Sequence, residues 1–205
     1  GIRGALVLEP PGPKGLARAA KKVDEKYGGD WLQIRDMARC TVVVPHDFMI
    51  EEARRCVRAY FSSPSNGFQL VDDRTVTADS NDAGYSGWTI NVVSGGILGE
   101  IQINTRILMY AKSLPEFRAA FPGQEAMMSA TYPAVAGGLG HILYEVSRDT
   151  DHPPAVRSAH ARASKLYYSY FRSFPPDYAL GSLANTTAAA LGYGAWTVMG
   201  TRARR

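Results

Sequence analysis

A chain of 205 residues with 45% hydrophobic and 20% charged residues can bury about 70% of its unfolded surface, which excludes disordered, collagenous and coiled-coil architectures. Its 23 Lys and Arg against 19 Asp and Glu leave a formal +4, which favours anionic ligands but is too small for a nucleic-acid-binding protein. Cys40 and Cys56 stand apart from every histidine, which argues against a disulfide framework or a zinc site, and no stretch reaches the ~18 apolar residues of a membrane span.

In chain order, residues 1–13 are rich in Gly and Pro and read as a linker from a larger chain, with residues 14–205 as one domain. Residues 15–27 carry Leu16, Ala19, Ala20 and Val23 at helical spacing, with Lys and Arg on the other side, and Gly28-Gly29 stops the helix. Cys40–Val44 is a β-branched run closed by Pro45, a buried strand, and Phe48–Phe61 returns to helical spacing. Strands follow at 68–71 and 88–93. Gly95-Gly96 is a hairpin signal, and in 97–105 Glu100, Gln102 and Asn104 alternate with Ile101 and Ile103. Residues 75–83 have little apolar content and read as a loop. Helical patterns then occupy 106–112, 124–148 with a glycine interruption, and 154–171, while the Ala/Gly-rich tail from Ala179 is ambiguous. Strands first and helices after give an α+β domain.

No P-loop, dinucleotide fingerprint, zinc-protease motif, CxxC pair or nucleophile elbow is present, and His46, His141, His152 and His160 share no spacing. Two carboxylates stand at strand edges: Asp36 just before the strand at Cys40, and Glu100 at the head of a polar strand face. Brought together, such a pair suits Mg²⁺, which takes one or two carboxylates plus substrate phosphates; apart, each is an ordinary exposed acid. Lys14, Arg18, Lys21 and Lys22 form a basic helix face, suited to phosphates or simply to solvent. Arg35 and Arg39 flank Asp36 and suit either an anionic ligand or a surface ion pair. Trp31, Trp88 and the Tyr167–Tyr168–Tyr170 cluster are read as packing residues.

Residues 84–89, Gly-Tyr-Ser-Gly-Trp-Thr, followed by Gly-Glu-Ile-Gln-Ile-Asn-Thr at 99–105, resemble the blocks of the RelA/SpoT-type alarmone synthetases. Met109 and Ala111 fall in the following helix, Lys14 and Lys22 have the family's eight-residue interval, and Asp36 has its acid before the first core strand. The resemblance covers residues 14–111. It implies a mixed, nucleotidyltransferase-like β-sheet flanked by helices, with a helical C-terminal half. It also implies transfer of the ATP β,γ-pyrophosphate to the 3′-hydroxyl of an acceptor nucleotide, with AMP released. Carried over by position, Asp36 and Glu100 would hold Mg²⁺, and Glu100 would also take the hydroxyl proton. Lys14, Arg18, Lys22 and Arg39 would serve ATP; Tyr85, Gln102 and Asn104 would serve the acceptor.

The sequence departs from the family where Asn104 replaces an arginine, Thr89 a histidine and Gly87 a serine. All three changes fall around the acceptor. With no hydrolase half in view, the resemblance is nearest to secreted bacterial toxins of this family that make (p)ppApp. The expectation is a one-way effector domain, delivered into a target bacterium and held in check by an inhibitor protein. A (p)ppGpp synthetase and a catalytically inactive nucleotide- or RNA-binding module are the alternatives.

Overall fold

The computed structural model describes residues 2–9, 15–35, 37–80 and 82–193, and only the backbone of Arg18. Contacts divide the chain into two compact units, one holding the residues up to Thr75 with Gly87–Thr105, the other Val76–Ser86 with the residues from Arg106 onward.

The first unit is a five-stranded mixed sheet. Its strands are β1 (Leu6–Leu8), β2 (Ala38–Val44), β3 (Gln69–Val76), β4 (Gly87–Ser94) and β5 (Ile97–Thr105), in the order β1-β2-β5-β4-β3. β1 runs antiparallel to β2, β2 parallel to β5, and β4 antiparallel to β5. The β4–β5 hairpin closes through Gly95 and Gly96 at φ 57° and 79°, the left-handed backbone that a two-residue hairpin turn of this kind demands. β1 lies within the opening expected to be a linker: Leu6, Val7 and Leu8 pair with Val43, Val42 and Thr41. Three apolar residues among Gly and Pro carry too little periodicity to announce an edge strand.

One face of this sheet is apolar. Val42, Val44, Ile90, Val92, Ile101 and Ile103 are buried there with Ala53 of helix α2 (Ile50–Phe61). Burying side chains of this size contributes ~1.5–3 kcal/mol each. α2 is also tied down by charge: Arg54 grips Asp73 of β3 through Nε and Nη2, the latter at 2.9 Å, and lies 3.8 Å from the ring centroid of Trp88. Helix α1 (Leu16–Tyr27) buries Ala19 and Val23 against Ile34, Tyr27 and Met37. Trp31, read as packing, is 44% exposed.

The second unit is helical: α3 (Arg106–Lys112), α4 (Leu114–Ala120), α5 (Glu125–Thr131), α6 (Leu139–Arg148), α7 (Pro154–Arg172) and α8 (Tyr178–Ala190). α3 and α7 fall where the helical spacing predicts them, the glycine interruption expected within 124–148 separates α5 from α6, α8 occupies the ambiguous tail, and α4 had no sequence expectation. An aromatic core of Tyr110, Phe117, Tyr132, Tyr167, Tyr168, Tyr170 and Phe171 fills this unit. Tyr167 ties it together: its hydroxyl accepts from the Leu139 amide at 3.1 Å and faces the carbonyls of Ala111 and Ala136 at 3.0 and 2.9 Å. Burial pushes its phenol pKa well above the ordinary value, so the hydroxyl stays a donor. Among the described residues no helix is long and apolar enough to cross a membrane.

Candidate functional site

Strand alternation builds the first candidate surface. Opposite the apolar face, β5 presents Glu100, Gln102 and Asn104. Register sets Arg39 of β2 and Asn91 of β4 on either side of Glu100, and Thr41 and Thr89 on either side of Gln102. Gln102 Nε2 donates to Glu100 Oε1 at 2.8 Å. This bond holds one carboxylate oxygen, so the half-buried Glu100 keeps a fixed orientation and a second oxygen for other work.

Arg39 is exposed, in line with Glu100 on the neighbouring strand. Asn104 is 1% exposed and lies beneath the surface. Lys22 is half-buried on α1, with Nζ 5.9 Å from the Tyr27 ring centroid. Arg35 pairs with Asp72 at 3.2 Å, which favours the structural option for that arginine. Lys14, Asp36 and the Arg18 side chain lie outside the described residues.

Asn91 escaped the sequence reading. It is fully buried at 0% exposure opposite Glu100, and neither its amide oxygen nor its amide nitrogen has a hydrogen-bond partner among the described residues. Leaving such a group unpaired in the interior costs ~1–3 kcal/mol. The signal in the sequence was an amide at an even step from Thr89 inside the otherwise β-branched Ile90–Val93 run.

Tyr85 belongs to the second unit, where its ring meets Tyr168 edge-on at 5.5 Å between centroids. Its loop is pinned to α7 at Gly84, whose φ is +69° and where an added Cβ would stand 2.6 Å from Lys165 Cα. Arg172 also donates to the Gly84 carbonyl. Only glycine permits that approach, which explains its place directly before the tyrosine.

Mg²⁺ prefers hard oxygen donors, and the Glu100 carboxylate is one. Among the described residues no group of three or more His, Cys, Asp or Glu gathers; a Mg²⁺ held by one or two carboxylates and substrate phosphates needs no such cage. The Glu100 carboxylate is compatible with such an ion.

No protein-family model matches the chain. The (p)ppApp synthetase toxin Tas1 of Pseudomonas aeruginosa (strain UCBPP-PA14) is 32% identical over 167 residues, which cover 78% of this chain and 34% of the relative. This chain thus spans about a third of that relative's length. The crystal structure of the Type VI effector Tas1 in complex with its immunity protein superposes with a TM-score of 0.65 and 28% identity over 82% of each chain. The chain is a homologue of Tas1 and shares its fold. A lower similarity, TM-score 0.49 and 18% identity over 80% of this chain and 73% of the other, is to small alarmone synthetase 1 from Bacillus subtilis bound to its product pppGpp. The α+β synthetase architecture expected from the sequence is the one observed.

Proposed function

We propose that this protein is a pyrophosphokinase that moves the β,γ-pyrophosphate of ATP to the 3′-hydroxyl of an adenosine nucleotide, making (p)ppApp. The observation that carries the reading is the Glu100–Gln102 pair on the polar face of β5, in a chain homologous to a (p)ppApp synthetase toxin.

In this account the acceptor 3′-oxygen attacks the β-phosphorus of ATP. A new O3′–Pβ bond forms, the bond from Pβ to the α,β-bridging oxygen breaks, and its electron pair leaves with AMP. The hydroxyl proton passes to the Glu100 carboxylate, whose orientation Gln102 fixes. Glu100 and Asp36 would hold Mg²⁺, which would supply charge neutralisation for the phosphate chain. Lys14, Arg18, Lys22 and Arg39 meet the ATP phosphates, Tyr85 stacks on the acceptor base and Gln102 meets the acceptor, while Asn104, beneath the surface, supports the strand rather than the ligand. Transfer of this type needs positioning and charge more than covalent help, which matches a site of carboxylate, amide and cations with no nucleophile.

Such an enzyme consumes ATP as donor and adenosine nucleotides as acceptor, so it drains the adenylate pool without needing a specific target. We read it as a toxin domain delivered into other bacteria and restrained by a dedicated inhibitor protein, as the Tas1 complex supports for that relative. The test is competition: ATP with equal ADP and GDP should yield pyrophosphorylated adenosine products almost alone, and EDTA should abolish them. A preference for GDP would replace the acceptor assignment by (p)ppGpp synthesis.

A further inference from the structure

The helical unit holds a cavity of about 640 Å³ that the reading above leaves unused. Its volume lies within the range of small-molecule sites. One wall is a single stripe of α7 carrying Arg157, Arg162 and Lys165; the others bring Tyr144 and Arg148 from α6 and Asp82 from the Tyr85 loop. Arg148 is already engaged, bonded to Glu145 at 3.0 Å and set 5.0 Å from the Tyr144 ring centroid. No ion pair or hydrogen bond joins the side chains of Arg157, Arg162 or Lys165 to another described residue, and Arg157 Nε is buried without a partner. Three cations on one helix face repel each other, and the single Asp82 of the lining cannot balance all three. α7 also begins in this cavity, at Pro154, where its aligned backbone dipoles add positive potential.

The cavity adjoins the loop that carries Tyr85. Asp82 and Ala83 line it, and the next residue, Gly84, packs on Lys165 from the same stripe. Ala83 of this lining lies two residues before Tyr85 in the same loop.

We infer that the α6–α7 cavity binds the 5′-phosphates of the acceptor nucleotide, through Arg157, Arg162 and Lys165. The inference rests on the acceptor reading of Tyr85. Arginine suits this role because its planar fork matches phosphate oxygens in pairs.

Binding of adenosine, AMP, ADP and tripolyphosphate to the full chain, measured by calorimetry without ATP, tests this with no turnover. ADP should bind at least about tenfold more tightly than adenosine, and Arg157→Gln with Arg162→Gln should lower ADP affinity at least about tenfold, since one charge-assisted hydrogen bond accounts for that much. Adenosine binding should not change. Arg162→Gln alone, at an exposed position, should give a smaller loss with an unaltered melting curve. Unchanged ADP affinity in the double variant, equal loss of adenosine binding, or tripolyphosphate binding as tightly as ADP would each overturn the inference. The two readings fail separately. If the double variant loses ADP binding while the wild type never releases AMP from ATP and ADP, the pocket stands and the pyrophosphokinase falls. If the double variant uses ADP at the wild-type KM, the pocket falls and the pyrophosphokinase stands.

Discussion

Gln102 Nε2 donates to Glu100 Oε1 at 2.8 Å, two residues further along the same face of β5. A carboxylate held this way can receive a proton at its other oxygen without first searching for an orientation. Glu100→Gln keeps shape and removes the base, so the rate should fall by more than about 10²-fold with an unchanged melting curve. Gln102→Leu removes the hold together with its acceptor contact and should lower kcat about tenfold while leaving KM for ATP unchanged. Full activity in the Glu100 variant would end the proposed role.

Asn91 pairs with Glu100 across the hairpin and keeps a buried, unpartnered amide. A group retained at such a cost is expected to trade stability for activity. Asn91→Leu should raise the Tm by about 2–4 °C, as ~1 kcal/mol does in a chain of this size, and should lower kcat. Tm and kcat falling together would mark Asn91 as structural.

The order of the elements was legible because periodicity alone distinguishes β5 from α7: Glu100–Ile101–Gln102–Ile103 alternates, and Ala163–Tyr167–Phe171 steps by four. The glycine turn at 95–96 fixed the register and with it the company of Glu100. β1 was not legible, since Leu6–Leu8 gains its strand only by pairing with β2. The glycine break before α6 was legible, but its reason was not: at Gly137 an added Cβ would come within 2.6 Å of the Tyr110 ring, a contact between residues far apart in sequence. Of the site, Glu100, Gln102 and Tyr85 could be picked out from the order of their motifs. Asn91 and the cavity on α7 could not, because burial and unpaired charge are properties of the packed chain.

Tyr167 reaches the Leu139 amide and the Ala111 and Ala136 carbonyls from the middle of the aromatic core. Tyr167→Phe leaves these groups without their partner, at a cost of ~1–3 kcal/mol. Thermal or urea unfolding should show this loss, and an unchanged midpoint would mean that water or a backbone shift replaces the hydroxyl.

Arg118 joins α4 to Glu125 on α5, with Nη2 2.8 Å from Oε1 and Nε on the other oxygen, which lowers the Glu125 pKa. A carboxyl with a depressed folded pKa stabilises above its unfolded value, about 4.3, and loses that contribution as pH falls through the folded value. Arg118→Ala should therefore move acid unfolding to higher pH and leave the high-pH limb unchanged. The pair is largely exposed, so high salt should shrink the difference.

The central claim is that two phosphates move together to a 3′-oxygen. The direct measurement is ³¹P NMR of a reaction of the wild-type protein with ATP, ADP and Mg²⁺. The account predicts AMP as the leaving product, in equal amount with an ADP derivative bearing an intact pyrophosphate on its 3′-oxygen. Release of inorganic phosphate or free pyrophosphate with no 3′-modified nucleotide would contradict it.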